Sequence, residues 1–143
     1  MNQKILLTAL LLLPISSCTI QPKVKIFNNA VEAITISIAD DSYQVGPGKS
    51  RKIELYFVSE FQVQMGAIQY FYNVEYWPDE HAYFTGWWLF ARREMKAQFN
   101  ADGTIFLLTE NQSPPISAIV GQPRGFPLVP DAAQGDRNTS GTI

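Results

Sequence analysis

From Lys23 to Leu108 apolar and polar residues alternate with a period of two, the pattern of strands that bury one face and wet the other. The clearest stretch is Ile34-Thr35-Ile36-Ser37-Ile38, with isoleucines on one side and hydroxyls on the other. Val24-Lys25-Ile26-Phe27 predicts a strand before it, closed by Asn28-Asn29. Asp40-Asp41-Ser42 has turn chemistry and precedes a short strand at Tyr43-Gln44-Val45. Gly46-Pro47-Gly48 predicts the next turn, because proline fixes φ and glycine admits positive φ. Lys52 to Phe57 and Phe61 to Met65 alternate again. The longest alternation sets Ile68, Tyr70, Tyr72, Val74 and Tyr76 against Gln69, Phe71, Asn73 and Glu75. Tyr83 to Leu89 is aromatic on both faces, as a central strand between two layers requires. Leu89 to Met95 fits a helical turn and a strand equally well. Met95–Phe99 and Thr104–Leu108 flank Asn100-Ala101-Asp102-Gly103, a hairpin loop with Gly103 at positive φ.

About seven to nine short strands without an amphipathic helix define an all-β chain. Its opening order is a strand, an Asn turn, a strand, then Pro-Gly before another strand. This resembles immunoglobulin-like and related sandwiches, so the expected architecture is a single antiparallel β-sandwich of that kind or a small barrel.

The alternation fails at both ends. Lys4 precedes a nine-residue apolar run, Ile5 to Leu13, which Pro14 ends. That is the layout of a secretory signal, and about half the length a membrane span needs. Ile15-Ser16-Ser17-Cys18 then resembles the lipobox of bacterial lipoproteins: an aliphatic residue, two small residues and the cysteine that takes the lipid. The resemblance implies cleavage after Ser17, lipidation of Cys18 and membrane attachment through the lipidated terminus. Thr19, in place of an Asp, implies an outer-membrane lipoprotein facing the periplasm. Cys18 is the only cysteine, and its lipidation leaves no disulfide and no unpaired thiol.

At the other end, residues 111–143 hold five of the nine prolines. Ile116 to Pro130 sets apolar residues in an extended, polyproline-like frame. Two uses compete for this arm: a final irregular strand packed on the domain, or a docking peptide for another envelope protein, with Phe126 and Leu128 as anchors. The last dozen residues are polar and nearly featureless, hence expected to be disordered. The layout is therefore a signal peptide (1–17), a lipidated tether (18–22), a β-sandwich domain (23–110) and a Pro-rich arm and tail (111–143).

Removing the signal leaves ten Lys and Arg against thirteen Asp and Glu, a mildly acidic balance. A nucleic-acid partner calls for a basic face, so that class is excluded. Aromatic residues make up 13% and charged residues only 17%, against about 25% in typical domains. The surplus is apolar surface, for a core or for a partner.

The chemistry available for catalysis is thin. His81 is the only histidine and lies in the turn Pro78-Asp79-Glu80-His81. No Gly-x-Ser-x-Gly elbow presents a serine, and no Gly-rich loop cradles a phosphate. Asp40-Asp41 and Asp79-Glu80 are ordinary turn acids, too few for a calcium cage. No enzyme, cofactor or metal is expected. Binding is. Trp87 and Trp88, alternating in direction and followed by Arg92 and Arg93, offer an indole and a guanidinium to an envelope protein partner, since Trp and Arg are favoured interface anchors. An exposed indole would also stack on a glycan. The expected role is a non-enzymatic interaction or scaffold module of a cell-envelope assembly; the alternative is a glycan or small-ligand binder, or an enzyme inhibitor.

Overall fold

Ten strands form in the computed structural model, which describes residues 23–55, 58–86, 92–117 and 121–135. They are β1 (Lys23–Asn28), β2 (Ile34–Ile38), β3 (Asp41–Val45), β4 (Ser50–Ile53), β5 (Glu60–Met65), β6 (Ile68–Asn73), β7 (Tyr83–Thr85), β8 (Arg92–Phe99), β9 (Ile105–Leu108) and β10 (Ala132–Gly135). A single 3₁₀ turn, Asp79–His81, precedes β7. The strands make two sheets, sandwich-like rather than a closed barrel. Sheet I runs β4-β1-β8, and β7 and β9 share the far side of the long β8. Sheet II runs β10-β6-β5-β2-β3. Every neighbouring pair is antiparallel except β1 and β8, which run parallel from Lys23↔Glu94 to Asn28↔Phe99. The antiparallel expectation is corrected at that one pair, because alternation reports which face a residue takes and not the direction of its neighbour.

Alternation becomes burial directly. Val24, Ile26, Ile53, Met95, Ala97, Phe99 and Ile105 point inward from sheet I. Ile34, Ile36, Val45, Phe61, Val63, Tyr70 and Tyr72 meet them from sheet II. Tyr72 stacks on Phe61 with ring centroids 4.8 Å apart, and Tyr70 meets Phe99 edge-on at 5.9 Å.

Those two tyrosines also tie sheet II to the hairpin of sheet I. The Tyr70 hydroxyl donates to the carbonyl of Ala101 (3.2 Å) and that of Tyr72 to the carbonyl of Gly103 (2.5 Å). Gly103 has φ +84°, as its turn requires, and a Cβ there would lie 2.7 Å from the Tyr70 ring. Burial raises the pKa of both phenols, with a further push from Asp102 on each. A phenol kept neutral in the fold ionises near pH 10 once unfolded, so its contribution is complete below that value and lost as pH rises beyond it. We expect urea midpoints to stay level from pH 8 to 9.5 and to fall above pH 10, less steeply in Tyr72→Phe. A midpoint independent of pH up to 11 would contradict this.

The Pro-rich arm is part of the domain. Gln98, fully buried on β8, brackets the backbone of Ile116: its Oε1 accepts from the Ile116 amide (2.9 Å) and its Nε2 donates to the Ile116 carbonyl (2.8 Å). Gln122 returns the same grip on β9, accepting from the Leu107 amide (2.8 Å) and donating to its carbonyl (2.9 Å). Leu128 and Ile105 exchange both backbone hydrogen bonds at 2.9 Å. The arm then crosses to the other layer, where β10 pairs with β6. It thus closes the outer edge of β9, an exposed row of amides and carbonyls that would otherwise invite another strand. Two expectations are corrected. The domain does not end at Glu110, and Ala132–Gly135, read as the start of a disordered tail, is a strand because a paired edge overrides weak local propensity. The rest of that tail lies outside the described residues.

Candidate functional site

The sequence-predicted site divides into three. Cys18, Trp87 and Trp88 lie outside the described residues. Arg92 and Arg93 open β8 opposite Thr85 and Phe84. The Arg93 guanidinium lies 5.8 Å from the centre of the Phe84 ring, and Phe84 is 67% exposed, so a cation–aromatic pair does stand on the surface at this end of sheet I. Phe126 and Leu128 are a correction. Both are buried, Phe126 with its ring 5.7 Å from that of Trp77, and side chains used by the core are not available to a docking partner. His81 is exposed in the 3₁₀ turn. Among the described residues no three His, Cys, Asp or Glu side chains gather to hold a metal ion.

What the fold assembles instead is a flat face. In sheet II the inward positions go to the core, so the alternate positions share the outer surface. Register aligns them into rows. Gln44 of β3 stands beside Thr35 of β2, Thr35 beside Gln64 of β5, Gln64 beside Gln69 of β6, and Gln69 beside Gln134 of β10. The row beside it is Ser42, Ser37, Gln62, Phe71 and Ala132. Ten positions across five strands carry no charge. Gln69 donates across strands to Gln62 Oε1 (2.5 Å) and Gln64 to the carbonyl of Gly66 (3.3 Å), which orders the amides. At one end a depression of about 370 Å³ opens over Ser37, Gln62 and half-buried Phe71, rimmed by Glu60, Asn73 and Asp131.

This face can offer planar amide donors and acceptors, hydroxyls and one aromatic surface at the strand spacing of about 4.8 Å. Its two rows hold no titratable group; the carboxyls of this face, Glu60 and Asp131, stand at the rim of the depression. The sequence did carry a signal: the outward residues of β2 and β3 are all amides or hydroxyls, and β5 and β6 add Gln62, Gln64 and Gln69. Their alignment was hidden, since register between strands distant in sequence is not written in either strand.

The outer face of sheet I is different. Glu94 is only 5% exposed at its centre, held by an ion pair with Lys52 and by the Tyr83 hydroxyl (3.1 Å). Burial, then the Glu94 charge, drives the Tyr83 pKa upward, so this phenol stays a donor.

The fold is a two-sheet β-sandwich whose arm belts both layers. No family model, curated protein or solved structure matches the chain.

Proposed function

We propose that this chain is a lipid-anchored, non-enzymatic interaction module of the bacterial cell envelope, presenting the outer face of sheet II to a partner protein. The observation that carries the reading is the uncharged row Gln44, Thr35, Gln64, Gln69 and Gln134, in register across all five strands. Such rows recognise by hydrogen bonding and shape, with no charge of their own to desolvate. The lipobox at Ile15–Cys18 supports the anchor, and β1 begins five residues after Cys18, a tether of at most about 18 Å. That tether holds the domain near the membrane.

The test is in-cell crosslinking of the full lipoprotein beside the double variant Gln64→Arg, Gln69→Arg. Two guanidinium groups in mid-row leave the inward face untouched. A defined set of envelope proteins captured by the wild type and lost from the variant, at equal melting temperature, is expected. Identical capture by both would remove sheet II as the platform.

A second reading has its own observation. Strand spacing of about 4.8 Å is close to the length of one sugar residue in an extended glycan, and Phe71 lies beside the amide row. A neutral glycan would lie across the strands, one residue per strand. In that case wall polysaccharide retains the wild type and releases both Phe71→Ala and the double Arg variant, while crosslinking yields no protein.

A further inference from the structure

Three lysines stand abreast on the outer face of sheet I. Lys52 of β4 is opposite Lys25 of β1, and Lys25 is opposite Lys96 of β8. Their chain neighbours Val24, Ile26, Ile53, Met95 and Ala97 are all buried, which fixes the lysines on the outside. Like charges directly opposite on neighbouring strands repel and weaken a sheet. Nothing in the core requires lysine at these outward positions.

The three ammonium groups have different surroundings. Lys52 is paired with Glu94. Lys96 donates to the carbonyls of Glu110 (2.6 Å) and Gln112 (3.4 Å) and lies 5.1 Å from the centre of the Tyr83 ring. Carbonyls and a ring orient a cation without cancelling its charge. Lys25, in the middle, has no hydrogen bond or ion pair among the described residues. Two ammonium groups without an ion-pair partner among the described residues therefore face one groove of about 230 Å³, the nearest carboxylates, Glu94 and Glu110, standing around Tyr83. Lys25, Lys96, Ser50, Gln112 and Ser113 give the groove a polar lining, Phe27 and Leu108 an apolar floor, and the arm at Pro114 a wall.

We propose that this groove binds a small organic anion: a carboxylate carried on a short apolar body. The carboxylate lies between the Lys25 and Lys96 ammonium groups, where ionised partners make the stronger class of hydrogen bond. The body lies on Phe27 and Leu108. The volume sets the size, being below the 300–1,000 Å³ usual for drug-sized ligands. Binding also relieves the repulsion along the row, so the ligand stabilises the sheet it sits on. The site is on the opposite layer from the amide rows and does not depend on them.

The experiment titrates the whole mature chain, kept soluble as Cys18→Ser, with hexanoate, hexanol and hexylamine, followed by amide chemical shifts. These probes share one body and differ in head charge. The expected result is saturable shifts at Lys25, Phe27, Leu108 and Ser113 with hexanoate, and binding weaker by about tenfold or more for the other two. Lys25→Met keeps the stem and removes the charge; it is expected to lose about tenfold in hexanoate affinity while melting no lower than wild type, and Lys25→Arg to keep the affinity. Equal binding of hexanol, shifts confined to other regions, or full affinity in Lys25→Met would overturn the proposal. So would sedimentation with phosphatidylglycerol vesicles that hexanoate fails to displace and Lys25→Met abolishes, which would make the row a membrane face.

Discussion

A chain cut after Glu110 is expected to lose its cooperative fold. The cut removes Phe126 and Leu128 from the core, both grips on β9 and β8, and the edge strand of sheet II. Burying a large apolar side chain stabilises by about 1.5–3 kcal/mol and each hydrogen bond adds about 0.5–1.5 kcal/mol. Against a total stability of about 5–15 kcal/mol, that loss is most of what holds the chain. Near-UV circular dichroism of the truncated chain should be flat and its urea transition broad or absent. Single changes grade the effect: Phe126→Ala should cost about 3–5 kcal/mol and Leu128→Ala about 2–5 kcal/mol in urea unfolding. A truncated chain melting within a few degrees of wild type would show that the arm is an accessory. The same expectation bears on partner mapping, because loss of binding on truncation at Glu110 reports unfolding and not a docking peptide.

The second large effect is expected at Asn28. This residue is fully buried where β1 ends, and its side chain satisfies three backbone groups. Nδ2 donates to the carbonyls of Glu32 (2.7 Å) and Val45 (3.0 Å), and Oδ1 accepts from the Ala30 amide (2.9 Å). Its own backbone closes the Gly46–Gly48 turn, the amide donating to the Lys49 carbonyl and the carbonyl accepting from the Gly48 amide, both at 2.9 Å. Asn28→Ala strands the three side-chain partners. Each buried group left without a partner costs about 1–3 kcal/mol, so a loss of about 3–5 kcal/mol in urea unfolding is expected. Asn28→Asp should be no better at neutral pH, since it aims a buried carboxylate at two carbonyls, and should recover in part in acid, where the protonated acid can donate once. A loss below about 1 kcal/mol in Asn28→Ala would mean that water takes over the three contacts.

Strand positions were legible because sheet II and the inner half of sheet I are half-buried, and half-burial writes itself as alternation. Ile34–Ile38 is a strand over its full predicted length, and Gly103 has the positive φ that its loop requires. Boundaries slipped where polar residues enter a ladder. Asp41 and Ser42, read as turn, open β3, and the hairpin turns at Ala39-Asp40 instead. Of the 52–57 run, Lys52 and Ile53 lie in β4, Leu55 keeps the alternation and is buried beyond the strand's end, and Tyr56 and Phe57 lie outside the described residues. The arm's role turns on two glutamines, Gln98 and Gln122, whose amides imitate a strand; a lone glutamine carries no such signal in sequence. The same holds for both candidate surfaces. Each outward residue could be assigned to a face, but rows of Gln or Lys exist only once β6 is set beside β5, or β1 beside β8.

The parallel pairing of β1 with β8 also governs the order in which the molecule assembles. Val24 finds Met95, 71 positions further along the chain. The β2–β3 and β5–β6 hairpins, by contrast, close over two-residue turns. Local pairs form early, whereas distant ones wait on the closure of a long loop, which places folding of such sheets on the millisecond-to-second scale. β1, synthesised well before β8, is thus among the last strands to be enclosed. Until β8 arrives, Val24 and Ile26 stay open next to the tether, an aggregation hazard that is greatest while the chain is incomplete.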